Sequence, residues 1–198
     1  ERRTFVKYSA AAGAAMMLPT LESLATAGSK IKVVQVGTGH RGTGFWGKDL
    51  IKNFGDILDY LGVYDINPGR AEYAKNLYGG NCKQYQDFDK MVDDNKPDYV
   101  IVTSVDATHD EFIIRALQKG CNVITEKPLT TDETKLKNIL EAEKASGKKV
   151  TVAFNYRHSN HNMRLKDVLS SGRAGKITSV DFHWYLNVYH GADYFRRW

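Results

Sequence analysis

The chain of 198 residues holds two cysteines and four prolines, and no uncharged apolar run approaches bilayer length. So little cysteine excludes a small disulfide-stapled scaffold. Neither thiol has histidine or carboxylate neighbours at metal-ligand spacing, so no metal centre is expected. Cys82 and Cys121 fall at the starts of what read as the third and fifth strands of a sheet. In the strand order usual for such sheets they lie about four spacings, or ~19 Å, apart and beyond disulfide reach. Both read as packing residues. Without ~20 consecutive apolar residues, no membrane span is expected in the mature chain. Charge of one sign is also missing. The 28 Lys+Arg and 23 Asp+Glu give a net +5 and are interspersed along the chain. That pattern describes a solvated surface, so no nucleic-acid partner is expected.

What is present begins with Glu1-Arg2-Arg3-Thr4-Phe5-Val6-Lys7, a small apolar run from Ala10 to Leu18, and the small residues Ala25-Thr26-Ala27. This is the three-part layout of an export signal, and paired arginines point to the twin-arginine (Tat) route and a periplasmic destination. An ordinary amphipathic helix is the plainer alternative.

Residues 31 to 44 organise the rest. Ile31, Val33, Val34 and Val36 form a β-branched run of the kind buried on both faces of a parallel sheet. It meets Gly37-Thr38-Gly39-His40-Arg41-Gly42, a G-x-G-x-x-G turn. Gly37 permits the sharp turn, Gly39 lets the backbone approach a pyrophosphate, and Gly42 lets the next helix pack on the strand. That helix aims its unsatisfied N–H groups and positive dipole end at the phosphates. A second apolar stretch (Ile57, Leu58, Leu61, Val63) ends in Tyr64-Asp65. Asp65 stands where a carboxylate accepts the adenosine ribose hydroxyls and repels a 2′-phosphate. NAD is therefore expected over NADP, although Arg70 is near enough to welcome a phosphate. Asp65 can equally be read as the start of the turn Asp-Ile-Asn-Pro-Gly.

Strands and helices then alternate. Helices are expected over 40–54, with Phe45, Trp46, Leu50 and Ile51 inward, over 69–78, from Asp87 as cap, over 110–119, and from Thr131 to Gly147. Strands are expected near 83–85 and over 99–103, 122–125 and 150–154. This rhythm predicts an α/β Rossmann fold, a doubly wound parallel sheet. Beyond it a short helix (162–171) leads to an alternating stretch from Lys176, the start of a second α+β domain with an open sheet. Its aromatic tail (Trp184, Tyr185, Tyr189, Tyr194, Phe195, Trp198) suits carbohydrate, a hydrophobic sheet face or a subunit interface.

After the fifth strand comes Thr125-Glu126-Lys127-Pro128-Leu129. Together with the glycine turn, Thr103 and His109, Gly120-Cys121-Asn122-Val123 and Asn155-Tyr156-Arg157, it resembles the Gfo/Idh/MocA oxidoreductases, the family of glucose–fructose oxidoreductase and inositol dehydrogenase. One departure is Ser104-Val105-Asp106, where members commonly carry Thr-Pro-Asn in the loop bordering the nicotinamide ribose. The resemblance implies an NAD(P)-dependent oxidoreductase acting on a sugar, cyclitol or polyol, and a homo-oligomer formed through the second domain. It implies that Lys127 holds the substrate hydroxyl and assists hydride transfer, that Glu126 supports the turn and the cofactor, and that the Lys127–Pro128 bond is often cis. The chemistry is consistent: hydride leaves carbon as the hydroxyl proton departs, so a proton acceptor belongs beside that oxygen. Partial burial of Lys127 would tune it for the task. The cofactor contacts implied are Gly37, Thr38, Gly39, His40, Arg41, Gly42, Asp65, Thr103, Ser104, His109, Glu126, Lys127 and Arg157. His109 reads also as a residue packing against or capping its helix, and Arg157 as part of a salt bridge. The domain plan is an export signal over 1–27, the dinucleotide-binding domain over 28–155, and the opening of a substrate and oligomerisation domain over 156–198. Family members share the acid–base work with a histidine in the later sheet, so the sequence reads as truncated at its C-terminus. An NAD-dependent glycosidase of the same fold and a non-catalytic dinucleotide or sugar sensor are the alternatives.

Overall fold

The computed structural model describes residues 29–185 and residue 188. The export-signal residues and the tail beyond Tyr185, Val188 apart, lie outside the described residues. The chain divides into two compact units, Glu1–Asn155 and Tyr156–Trp198.

Six parallel strands make the first unit: β1 (Ile31–Val36), β2 (Leu58–Tyr64), β3 (Lys83–Tyr85), β4 (Tyr99–Val102), β5 (Asn122–Thr125) and β6 (Val150–Val152). Their order is β3-β2-β1-β4-β5-β6. The direction of winding reverses between β1 and β4, which opens a crevice at their carboxyl ends. The two-residue period of β1 feeds two cores. Val34 and Val36 join Phe88, Met91, Val100, Ile113, Leu117 and Ile139 on one face. Ile31 and Val33 join Trp46, Val63, Ala71, Ala74 and Ile101 on the other.

Helices cover both faces. A π-helical segment, Gly42–Asp49, runs on into α1 (Leu50–Phe54). Then come α2 (Pro68–Tyr78), α3 (Phe88–Asn95), α4 (His109–Gln118) and α5 (Glu133–Ser146). Their starts follow from side-chain caps. Asn67 accepts from the N–H groups of Gly69 and Arg70, Asp87 from Lys90, and Asp132 from Thr134 and Lys135. These two backbone bonds hold the Asp132 carboxyl below its ordinary value. On one face α3 and α4 are tied by Arg115, which donates to Asp89 and Glu111 and lies over the Phe88 ring.

The cysteines pack as expected. Both are free and buried, and burial pushes Cys82 up to about 12 and Cys121 up to about 11. Two expectations need correction. Phe45 is 40% exposed, because the wider i→i+5 turn of the π-helical segment rotates each residue less than an α-helix does, whereas Trp46, Leu50 and Ile51 pack against the core as expected. The alternating stretch from Lys176 forms no strand among the described residues. Alternation makes a strand only against a partner, and none of the described residues supplies one. Among the described residues of the second unit is α6 (Asn160–Ser170), capped by Ser159.

Candidate functional site

The glycine turn follows β1 at the mouth of the crevice. Gly37 has φ +85°, and its N–H donates to the Tyr64 carbonyl at 2.8 Å. A Cβ there would lie 2.4 Å from the Thr103 carbonyl oxygen and the Ser104 nitrogen, so both conformation and space demand glycine. Gly42 is as constrained: a Cβ would meet the Gln35 amide nitrogen, the Gly37 carbonyl and the Thr103 hydroxyl within 2.9 Å. Nothing lies within 4 Å of a Cβ on Gly39. The middle glycine therefore faces open space beside the first N–H groups of the helix, which have no intrahelical partner.

Asp65 ends β2 against this turn. Its Oδ2 accepts from the Thr38 N–H at 2.7 Å and the Thr38 hydroxyl at 3.0 Å, while Oδ1 accepts from the Asn67 N–H at 2.8 Å. The turn reading of Asp65 is the one these bonds show. It starts the Asn67 turn, and its carboxylate stands beside the glycine turn at the crevice edge. Open space at Gly39, unsatisfied helix N–H groups and this carboxylate fit an adenine dinucleotide.

Across the mouth, Glu126 follows β5. It is 7% exposed, and its Oε1 accepts from Arg41 Nε at 2.6 Å and Trp46 Nε1 at 2.8 Å. Oε2 lies 3.3 Å from the Lys127 backbone N–H. The Arg41 guanidinium also lies 4.0 Å from the Phe45 ring centroid. This fixes the strand end that carries Lys127 to the helix that carries the phosphate-binding turn. The Lys127–Pro128 bond is cis. Lys127 is exposed rather than partly buried, because it stands one residue past the packed layers, on the crevice lip.

Beneath that lip is His109, 1% exposed. One ring nitrogen, Nδ1, lies 2.8 Å from the Pro128 carbonyl, and Nε2 lies 3.1 Å from the Ser104 carbonyl. Both nitrogens face backbone carbonyls, and the one that carries the proton donates to one of them. His109 ties the Ser104 loop to the Lys127–Pro128 loop. The packing alternative is the one the structure supports. Thr103 and Ser104 end β4 beside the turn, with the Thr103 hydroxyl bonded to the Gly37 carbonyl and the Ser104 hydroxyl accepting from Thr108. His40 is exposed on the turn. Arg157 lies in a 3₁₀ turn, Asn155–His158, beyond β6, and Tyr156 onward belongs to the second unit. The residues around the turn, Asp65 and Glu126–Lys127 are brought together in the first unit.

Sequence reasoning missed Gln35, which is fully buried and donates from Nε2 to the Gly37 carbonyl and Thr103 hydroxyl, both at 2.9 Å. It also missed Tyr60 and Tyr78, whose hydroxyls meet Gln35 Oε1. The available signal was a glutamine set between Val34 and Val36, next to the glycine turn. Burial pushes both phenols up; for Tyr60 the neighbouring Tyr78 and Cys82 add to it, and for Tyr78 Cys82 does. No group of three or more metal-ligating side chains occurs among the described residues.

A parallel sheet with this turn, acid and lysine-bearing strand end defines a nicotinamide-dinucleotide-binding oxidoreductase fold. The family model of Gfo/Idh/MocA, described as an oxidoreductase family with an NAD-binding Rossmann fold, matches residues 31–154, and the chain belongs to that family. NAD is accordingly the cofactor of this fold. The Bacillus subtilis (strain 168) protein YteT is 38% identical over 170 residues, covering 84% of this chain and 40% of that protein. Inositol 2-dehydrogenase of Azotobacter vinelandii (strain DJ) is 34% identical over 139 residues, 68% of this chain and 41% of that enzyme. Among solved structures, myo-inositol dehydrogenase from Lactobacillus casei in complex with NAD(H) and myo-inositol superposes with a TM-score of 0.66 at 30% identity. That match covers 72% of this chain and 42% of the other. The chain spans about two fifths of the length of these relatives.

Proposed function

We propose that this chain is the cofactor-binding part of an oxidoreductase that moves hydride between NAD and a hydroxyl-bearing carbon of a sugar, cyclitol or related polyol. The observation that carries the reading is the joint at Glu126. Arg41 and Trp46, from the helix after the glycine turn, hold the carboxylate whose neighbour is Lys127. The dinucleotide-binding turn and the lysine are thereby parts of one hydrogen-bonded unit. The names of the relatives, inositol dehydrogenases among them, support a polyol substrate.

When bound, the nicotinamide ring supplies the hydride acceptor or donor. In this reading Lys127 holds the substrate hydroxyl and takes up its proton as the carbon–hydrogen bond breaks. Glu126 fixes the backbone from which Lys127 projects, and His109 packs between the adjoining Pro128 and Ser104 carbonyls. Asp65 receives the adenosine ribose and selects NAD over NADP. We also read residues 1–27 as a twin-arginine signal, from the sequence alone, and assembly into a homo-oligomer as the work of the second unit.

The full-length protein with NAD⁺ and a panel of inositols, aldoses and nucleotide sugars tests the activity. NADH should accumulate with at least one polyol. Binding of NADH without turnover of any member of the panel would overturn the reading, and release of free sugar with no net NADH would replace it by the glycosidase. For export, Arg2-Arg3→Lys-Lys should leave the protein in the cytoplasm.

A further inference from the structure

We infer that Gln35 is a positioning residue for dinucleotide binding: its buried amide sets the Gly37 carbonyl, and so fixes the orientation in which the glycine turn meets the pyrophosphate. The inference rests on the reading of the crevice as an NAD site.

The third inward position of β1, after Ile31 and Val33, is occupied by an amide with no solvent exposure. A primary amide has two N–H donors and an oxygen with two lone pairs. All four are used. Nε2 donates to the Gly37 carbonyl and the Thr103 hydroxyl, and Oε1 accepts from Tyr60 and Tyr78. A core that merely tolerated a glutamine would satisfy it within its own sheet. Here both donors leave the ladder for the turn and its neighbouring loop. The Gln35 nitrogen, Gly37 oxygen and Thr103 hydroxyl are also the atoms that a Cβ on Gly42 would strike. They therefore form the seat on which the third glycine, and with it the start of the helix, rests.

On the acceptor side of the same amide the two phenols, their protons given to Oε1, pack beneath the helix. The Tyr78 hydroxyl lies 3.2 Å from the Gly42 carbonyl, and the Tyr60 hydroxyl 3.3 Å from the Trp46 carbonyl. The Tyr78 ring leaves no room for a side chain at Gly47. Both phenols are buried and stay protonated, so the polarity of the chain is fixed: hydroxyl to amide oxygen, amide nitrogen to turn carbonyl. Reversing the amide would set two carbonyl oxygens against each other at Gly37. The turn, the helix start and the floor beneath both are thus registered through one side chain that the pyrophosphate itself never touches.

A positioning role through the turn predicts a selective effect on ligands that carry a pyrophosphate. Adenosine, ADP-ribose and NADH are titrated calorimetrically into the full-length wild-type protein and the variants Gln35→Met and Gln35→Glu. Gln35→Met keeps the volume and removes all four bonds. Gln35→Glu keeps acceptors for the tyrosines and removes the donor to Gly37. Each variant should bind NADH and ADP-ribose about tenfold or more weakly, a change of roughly 1.4 kcal/mol, with adenosine affinity within about twofold of wild type. Equal weakening of adenosine and ADP-ribose would show a merely structural role and overturn the inference, as would unchanged ADP-ribose binding. If neither variant folds, Tyr78→Phe, which removes one of the two hydroxyls that orient the amide, should shift the ADP-ribose to adenosine ratio several-fold in the same direction, and an unchanged ratio would again overturn it. A wild-type protein that binds neither NADH nor ADP-ribose would instead refute the NAD site itself.

Discussion

Arg41 Nε and Glu126 Oε1 stand 2.6 Å apart, with the arginine half-exposed and the carboxylate almost covered. The two residues are 85 positions apart in the chain, and their pairing joins the phosphate-binding turn to the lysine-bearing strand end. A pair with one partner in water loses less than a fully buried one when broken, because solvent takes over part of the interaction. Arg41→Ala should therefore destabilise the protein by about 1–2 kcal/mol, measured by urea unfolding. Glu126→Gln, which keeps an oxygen for the Trp46 indole N–H, should be milder than Glu126→Ala, which leaves that donor buried without a partner. Equal losses for the two Glu126 variants would show that Trp46 contributes nothing.

Lys127→Met in the full-length enzyme should keep NADH affinity near wild type and lower turnover by about 10²–10⁴-fold, the range for loss of a general acid–base group. The separation follows from placement. In the proposed reading the dinucleotide contacts gather around Gly37, Gly39 and Asp65 at the ends of β1 and β2, whereas Lys127 follows β5. Rapid-quench or stopped-flow measurement of the hydride step, with NADH binding measured alongside, checks it. Turnover close to wild type would reduce Lys127 to a surface residue.

The legible parts of the fold were those written in short patterns. The β-branched run of β1 followed at once by three spaced glycines, the carboxylate ending β2, and Glu126-Lys127-Pro128 after β5 each sit within a few residues, so strand, turn and site could be read together. Asp87 and Gly147 announced helix ends for the same local reason. Gln35 was opaque because its meaning depends on Tyr60, Tyr78 and Thr103, which are 25, 43 and 68 positions away. Phe45 was misplaced because an α-helical rotation of about 100° per residue was assumed where the segment is π-helical. The position of His109 ahead of a helix reads as packing or capping, and only the fold shows the two backbone carbonyls at its ring.

Asp65→Ala should weaken NADH binding by about 1–3 kcal/mol, the effect of losing one charged hydrogen-bonding partner, and should narrow or reverse the preference over NADPH. The same carboxylate receives Thr38 and Asn67, so a lower melting temperature is expected as well. Asp65→Asn separates the two effects. It retains an acceptor for one of these groups but removes the charge that repels a 2′-phosphate. Titration with both dinucleotides is the check, and wild type binding NADPH as tightly as NADH would sink the assignment of selectivity to Asp65.

On the far face, Asp89 gives the acid limb of stability a specific contributor. The hydrogen bond from Arg115, and after burial's opposing effect the charges of Arg115 and Lys119, hold its carboxyl below the ordinary value. A carboxyl depressed in the folded state adds stability above its unfolded value of about 3.9, and that stability is lost as pH falls through the folded value. The pair is substantially solvent-exposed, so screening limits the contribution to about 0.2–1 kcal/mol. Asp89→Asn should accordingly be less stable than wild type by that amount at pH 7, and the gap should close progressively below about pH 4. Urea midpoints measured across this range decide the matter. A gap that stays constant down to pH 3 would mean that Asp89 acts by packing beside Phe88 and Arg115 rather than by its charge.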